Sequence, residues 1–288
     1  MPELPEVETV RSQLATVLKN KKINGLEIRK PKLIKSPIFS FKKNVVGAKV
    51  TGVKRRAKLI IINLSNSYSV FIHLKMTGQL VYRNKKILKV GGHPIKDGVK
   101  DLPNKYSHII FSMTDGGELF FNDLRQFGYL KLVKTLDIDN IFVKSKIGPE
   151  PLDKEFSLDV FQKLLKKKPK SKIKPLLMDQ TFVAGIGNIY AAEVCFSSKV
   201  DPRRLVNTLK EREIFDIYKH IVRILKLAVK KQGTSSKNYV DAYGNPGSYV
   251  PMLKVYGRKD KNCFQCKTKI LSMKLAGRGT NYCPKCQK

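Results

Sequence analysis

The chain has 288 residues, 57 Lys+Arg against 23 Asp+Glu for a formal net charge of +34, and 42% hydrophobic residues. That hydrophobic content is globular rather than disordered, and the length allows one large domain or two, each with a real core. No run of about 18 apolar residues is present, which excludes a helical membrane span. The opening MPELPEVET, with two prolines and three glutamates, is the reverse of a basic secretory leader, so a soluble, intracellular protein is expected.

Of the cations 45 are Lys and 12 are Arg, and Trp is absent. A Lys-rich, Trp-free composition can reflect an AT-biased genome, but such bias does not require so few acids. The excess creates a long-range field that favours a polyanionic partner. Nucleic acid is preferred to a membrane surface, because no basic amphipathic helix stands out.

In chain order, Leu4, Val7, Val10, Leu14, Val17 and Leu18 recur at helical spacing, and Pro5, Glu6 and Glu8 suit a helix start. From about 45 to 135 the texture becomes short β-rich runs, such as Leu59-Ile60-Ile61-Ile62, Val70-Phe71-Ile72, His108-Ile109-Ile110-Phe111 and Leu119-Phe120-Phe121. Asp115-Gly116-Gly117 between the last two is a hairpin-turn signal. Residues 84–105, broken by Gly91, Gly92, Pro94, Gly98 and Pro103, are expected to form a long loop, and Gly148-Pro149-Glu150-Pro151 an interdomain linker. Helices are expected at about 157–168, 172–179, 188–198 and 208–231, followed by an aperiodic stretch at 233–249.

The chain closes on Cys263-x2-Cys266 and Cys283-x2-Cys286 with 16 residues between the pairs, a spacing that sets four thiolates around one zinc ion. Two disulfides are the alternative, but nothing here signals export, and intracellular thiols stay reduced. A closed four-sulfur sphere leaves no place for a catalytic water, so the zinc is structural. Cys195, in an apolar stretch, reads as a small buried hydrophobe.

Removal of Met1 would make Pro2 a free secondary amine, titrating near pH 8 and able to attack an aldehyde or a sugar C1′, with Glu3 beside it to move protons. Proline after the initiator is common, and Glu3 also suits a helix start, so the pair is ambiguous by itself. The GIGN element at 185–188 offers a second chemistry. Its glycines allow a tight turn, and Asn188 stands where a helix N-cap is expected, either as a plain cap or as a phosphate grip.

Taken together these segments resemble the formamidopyrimidine-DNA glycosylase family. The likeness runs through MPELPEVETV, RRAKLI at 55–60, HLKMTGQL at 73–80, NDLRQFG at 122–128, GPEPL at 148–152 and IKPLLMDQTFVAGIGNIYAAEV at 173–194. It continues through QGTSSKNY at 232–239, NPG at 245–247, VYGRK at 255–259 and AGRGTNYCPKC at 276–286. PELPE, rather than PEGPE, favours the purine-specific branch over the endonuclease VIII group.

The resemblance implies an α+β chain of two domains. An N-terminal antiparallel β-sandwich with flanking helices (1–135) carries the chemistry. A linker (136–152) leads to a helix–two-turn–helix domain (153–262, with a lesion-recognition loop at about 232–249), and a zinc-finger β-hairpin (263–288) ends the chain. It implies Pro2 as the Schiff-base nucleophile, Glu3 as acid/base partner, Lys58 and Arg278 in the catalytic site, and Glu6 shaping it. It also implies that Met76, Arg125 and Phe127 fill the gap left by a flipped base, and that His73, Lys174, Asn188, Lys237 and Tyr239 lie on the DNA. By periodicity Met76 and Phe127 read equally well as sandwich core, and a lone His in an apolar strand is more often a satisfied core residue.

The expected partner is double-stranded DNA with oxidised bases or abasic sites, the cofactor one structural zinc ion, and the state a monomer associated with the bacterial nucleoid. The expected activity is excision of oxidised purines with strand cleavage by β,δ-elimination. The alternatives are endonuclease VIII-like action on oxidised pyrimidines, or damage binding without catalysis if Met1 is retained. Three positions depart from the family pattern: Lys75 and Gln232, where glycine is usual, and Gln126, where a second arginine is usual.

Overall fold

A computed structural model describes residues 1–93, 99, 101–234 and 248–288. The chain divides into two compact units, Met1–Lys144 with Lys231–Val250, and Ser145–Lys230 with Pro251–Lys288.

The first unit opens with α1 (Leu4–Leu18), β1 (Ile23–Ile28), α2 (Ile38–Val45), β2 (Val50–Arg56), β3 (Leu59–Leu64) and β4 (Tyr68–His73). It continues with β5 (Gly78–Arg83), β6 (Leu88–Gly92), β7 (Ser107–Met113), β8 (Glu118–Asp123), β9 (Tyr129–Lys134) and α3 (Ile138–Lys144). Among the described residues the strands form two antiparallel sheets, ordered β1-β7-β8-β5-β6 and β2-β3-β4-β9. Ile60, Ile62, Val70 and Ile72 of one sheet share a core with Leu80, Tyr82, Phe111 and Phe121 of the other, and Val7, Val10 and Leu14 of α1 join it. The unbroken apolar runs have a physical cause, because the outer faces are covered as well. Leu59, Ile61 and Phe71 pack outward against Ile138, Ile141 and Phe142 of α3. Val81, Ile110 and Phe120 pack against Val90 and Leu102. The expected sandwich is present, and Gly116 makes the turn between β7 and β8 at φ +77°.

Three expectations need correction. Residues 84–105 are not wholly loop, since β6 pairs with β5 there; Gly91 and Gly92 sit in a strand because their Cα hydrogens face Val10 and the Gly78–Gln79 backbone, where a side chain would collide. Within the expected linker 136–152, Ile138–Lys144 is the helix α3, packed over the outer sheet face. The described ends of the 232–249 stretch group with the N-terminal unit, not with the helices that precede them.

The second unit contains α4 (Leu158–Lys166), α5 (Ile173–Met178), α6 (Asn188–Ser197), α7 (Glu211–Lys230) and the hairpin β10 (Leu271–Leu275) and β11 (Arg278–Tyr282). Ser157 caps α4 by accepting the Val160 N–H at 3.2 Å. The 20-residue α7 buries the stripe Ile217, Ile221, Ile224, Leu225 and Ala228. Cys195 is buried in α6, and burial pushes its thiol up to about 12, as suits an inert packing residue. Among the described residues no helix is long and apolar enough to cross a membrane.

Candidate active site and nucleic-acid interface

Pro2 and Glu3 are buried at the head of α1, while Met1 is 49% exposed. Glu3 is the N-cap residue, and the Glu6 carboxylate reaches back to accept its N–H at 2.9 Å. The other Glu6 oxygen accepts the Thr234 N–H at 2.7 Å and the Thr234 hydroxyl at 2.9 Å. One carboxylate therefore anchors both the helix that Pro2 leads and the chain at Thr234. Gly233 is required at the crossing: its φ is +82°, and a Cβ would come 2.7 Å from Glu6 Oε1.

Lys58 lies in the two-residue turn between β2 and β3, where Arg56 pairs with Leu59 and Ala57 takes φ +52°. Lysines at hairpin tips normally point to water, yet Lys58 is only 5% exposed. The turn is fastened to α1 by Arg55, whose Nε donates to Glu8 Oε2 at 3.0 Å and whose Nη1 donates to Ala57 O at 2.9 Å. Pro2, Glu3 and Lys58 thus sit on a single braced frame.

Met76 and Phe127 are 39% and 53% exposed, on the β4–β5 and β8–β9 loops, so the sandwich-core reading of both is excluded. Arg125 is exposed beside them, its guanidinium carbon 4.6 Å from the Phe127 ring centroid. His73 ends β4, its Nδ1 accepting the Lys75 N–H at 3.0 Å, which places any proton on Nε2. Burial, followed by the Lys75 and Lys58 charges, lowers its pKa from 6.5 to about 3, so it is a neutral donor at physiological pH. Between those two values the unfolded chain takes up a proton at residue 73 and the folded chain does not, so stability falls as the pH drops below 6.5. His73→Gln is therefore expected to remove about 2 kcal/mol of the stability lost between pH 7 and pH 5, measured by urea unfolding at both.

The three departures from the family pattern share one geometry. Lys75, Gln126 and Gln232 all have left-handed backbones, with φ of 50°, 56° and 58°. Where glycine is usual, at 75 and 232, this chain tolerates a conformation that costs a side chain about 1 kcal/mol.

In the second unit, α5 and α6 are joined by a turn organised by Gln180. Its Nε2 donates to Met178 O and Ile186 O, both at 2.8 Å, and its Oε1 accepts the Gly185 N–H at 2.9 Å. Gly185 has φ +84°, which requires glycine, and Gly187 rather than Asn188 is the N-cap of α6. Asn188 is the first helical residue, half-buried, and its Nδ2 donates to Gly279 O at 3.0 Å. Lys174, expected on the DNA surface, is instead 1% exposed: its ammonium donates to Asn188 Oδ1 at 2.5 Å and Thr280 Oγ1 at 3.0 Å. It stands behind the α6 N-terminus, its ammonium turned to Asn188 and the zinc hairpin. Arg278 is exposed at the hairpin tip, after a two-residue turn in which Ala276 and Gly277 both have positive φ, the geometry that matches strand twist. Glu193, unremarked in the sequence, is buried in α6 and accepts the backbone N–H groups of Lys254, Val255 and Tyr256 at 2.8–3.0 Å, fastening the segment that leads into the cysteines.

The four cysteine sulfurs lie within 4.8 Å of one another, with Cys263 to Cys286 at 3.8 Å and Cys266 to Cys283 at 3.4 Å. These spacings are far beyond a disulfide and near the roughly 3.8 Å separation that tetrahedral zinc–sulfur bonds of about 2.3 Å impose. The residues fit one closed zinc site. Lys237 and Tyr239 lie outside the described residues.

Three family models match in order along the chain: the formamidopyrimidine-DNA glycosylase N-terminal domain at residues 1–130, the formamidopyrimidine-DNA glycosylase H2TH domain at 147–239, and a zinc finger found in FPG and IleRS at 261–288. The chain belongs to the formamidopyrimidine-DNA glycosylase family. Members named formamidopyrimidine-DNA glycosylase from Pelotomaculum thermopropionicum and Streptococcus mutans are 42% and 41% identical, over 100% of this chain and 99% and 100% of theirs. Among solved structures, wild-type Lactococcus lactis Fpg with a DNA containing N7-benzyl-Fapy-dG is 35% identical, with a TM-score of 0.88 over 100% of both chains. The Lactococcus lactis Fpg complex with abasic-site DNA is 34% identical, with a TM-score of 0.86 over 99% of each chain. The family's fold, an antiparallel N-terminal domain, a helical H2TH domain and a zinc finger, is the one found here.

Proposed function

We propose that this chain is a bifunctional DNA-repair glycosylase that removes oxidised purines, 8-oxoguanine and formamidopyrimidines, from duplex DNA and cuts the strand at the resulting abasic site. The observation that carries the reading is the buried Pro2-Glu3 pair, held at the head of α1 by Glu6 on a frame that also buries Lys58. Once Met1 is removed, the Pro2 nitrogen donates its lone pair to C1′ of the flipped nucleotide, and the base leaves with its bonding electrons and gains a proton. Opening of the sugar C1′–O4′ bond gives the iminium. Loss of a C2′ proton then expels the 3′ phosphate, and loss of a C4′ proton expels the 5′ phosphate. In this reading Glu3 moves protons at this centre and Lys58 supplies positive charge beside it.

Met76, Arg125 and Phe127 suit the void left by the extruded nucleotide: a flexible thioether, a guanidinium and an aromatic ring, all exposed on loops. Asn188 at the α6 start and Arg278 on the zinc hairpin suit backbone phosphates. The many remaining lysines supply salt-sensitive attraction to DNA of any sequence. Similarity to structures of Fpg with lesion and abasic DNA supports the same partner.

Borohydride trapping on duplexes containing 8-oxoguanine, an abasic site or thymine glycol tests the proposal. A covalent adduct on the first two, formed much faster than on thymine glycol, is expected. A preference for thymine glycol would favour the endonuclease VIII-like reading. No adduct from Met1-free protein would leave only damage binding.

The burial of Lys174 has its own measurable consequence. Lys174→Met is expected to weaken binding to an abasic-analogue duplex about tenfold, through the lost charge-assisted hydrogen bond to Asn188. The slope of log affinity against log salt should stay unchanged, because the ammonium releases no counterion from DNA. Fluorescence anisotropy at several salt concentrations reads both quantities, and a slope smaller by about one would return Lys174 to the phosphate surface.

A further inference from the structure

The side chains assigned to the DNA gap stand on two loops without regular structure, residues 74–77 and 124–128. A wedge must hold its shape while it pushes bases apart, and exposed loop residues do not do so unaided. The support lies beneath them in Asp123, the last residue of β8, which is fully buried.

Asp123 Oδ1 accepts the Thr77 hydroxyl and, at 3.2 Å, the Arg125 N–H. Thr77 Oγ1 in turn accepts the same Arg125 N–H at 3.0 Å. Asp123 Oδ2 accepts the Gly128 N–H at 2.7 Å, and its backbone oxygen faces His108 Nε2 at 2.8 Å. The carboxylate therefore closes 123–128 into a ring that presents Arg125 and Phe127, and straps that ring to the loop presenting Met76. The fit is close: a Cβ on Gly128 would stand 3.0 Å from Asp123 Oδ2 and 2.7 Å from Phe121 Cζ.

We infer that Asp123 is the positioning residue of the wedge, with Thr77 as the strap between its two loops, so that helix opening rather than sugar chemistry depends on them. The inference rests on the reading of Met76, Arg125 and Phe127 as gap fillers. Asp123→Asn is nearly isosteric but in either amide orientation sets its N–H group against a backbone N–H, that of Gly128 or that of Arg125, so the ring is loosened while the core shape is kept. A single-stranded abasic oligonucleotide has no stack to open and bypasses the wedge.

The test uses the full chain with Asp123→Asn, Thr77→Val and Arg125→Ala. Two quantities are followed: the fluorescence of 2-aminopurine opposite an abasic analogue in a duplex, and borohydride trapping on duplex and single-stranded abasic DNA. Asp123→Asn is expected to lower the fluorescence rise and the duplex trapping rate at least tenfold, with single-strand trapping changed less than twofold. Thr77→Val should show the same selectivity with a smaller loss, and it decides the matter should Asp123→Asn fail to fold. Equal losses on both substrates, or no loss on the duplex, overturns the inference. If Arg125→Ala leaves the duplex signal unchanged, the gap-filling reading itself falls and the inference with it. If Arg125→Ala lowers the signal and Asp123→Asn and Thr77→Val do not, only the positioning role falls.

Discussion

A chain that keeps a residue in front of Pro2 is expected to yield no borohydride-trapped adduct and to cleave an abasic duplex at least a thousandfold more slowly, while still binding that duplex. The reason is electronic. A free prolyl amine with a pKa near 8 is about a quarter unprotonated at pH 7.5, against about one part in a thousand for an ordinary lysine. An amide nitrogen in the same place has its lone pair delocalised into the carbonyl and cannot attack C1′. A thousandfold loss corresponds to about 4 kcal/mol of transition-state stabilisation. Intact mass separates the processed and unprocessed chains, and each is then assayed for trapping and for anisotropy on an uncleavable abasic analogue. Undiminished trapping by the extended chain would assign the nucleophile to a lysine, and mapping the adduct peptide would show whether it is Lys58.

Removing the zinc, by chelation or by Cys283→Ser, is expected to lower duplex affinity at least a hundredfold and to melt the last segment while the N-terminal sandwich stays folded. The apolar cluster of the cysteine module is small: Val255, Ile270 and the sulfurs themselves packed against Ala192 and Phe196. A core of that size cannot fold a segment of this length, whereas structural zinc contributes about 10–16 kcal/mol to small modules. Its loss takes Arg278 out of place, and it removes Gly279 O from Asn188 and Thr280 from Lys174. Zinc content, circular dichroism melts and anisotropy are the measurements. An affinity that survives loss of the metal would show that Asn188 and the lysines grip DNA without the hairpin.

Much of this molecule is legible in its sequence. Helices with amphipathic stripes, such as α1 and α7, and the Cys-x2-Cys pairs announce themselves because period and spacing are local properties of a chain. The roles proposed for Pro2, Glu3 and Lys58 rest on the order of whole motifs, since each alone suits a helix start or a strand end. What escaped was set by long-range packing. The helix α3 was hidden because its apolar residues serve the outer sheet face, and β6 because glycine-rich strands carry no β signal. Lys174 is expected on the DNA, yet its ammonium meets Asn188 and Thr280 as well as the neighbouring Met178 Sδ, and no local pattern connects position 174 to 188 or 280. Asp123, Gln180 and Glu193 stood inside recognised motifs without a role, because a carboxylate or amide that organises backbone N–H groups has the same letters as one facing water.

The bond between Glu6 and Thr234 spans 228 positions of the chain. At synthesis rates of roughly 5–20 residues per second, the first helix waits about 10–50 s for that partner to leave the ribosome. The sandwich can collapse earlier around its own strands, but the carboxylate at its head gains this partner only after Thr234 has been made. Throughout that interval the nascent chain holds its N-terminal helix without the Thr234 contact, so the full surroundings of Pro2 and Glu3 are among the last parts of this unit to be assembled.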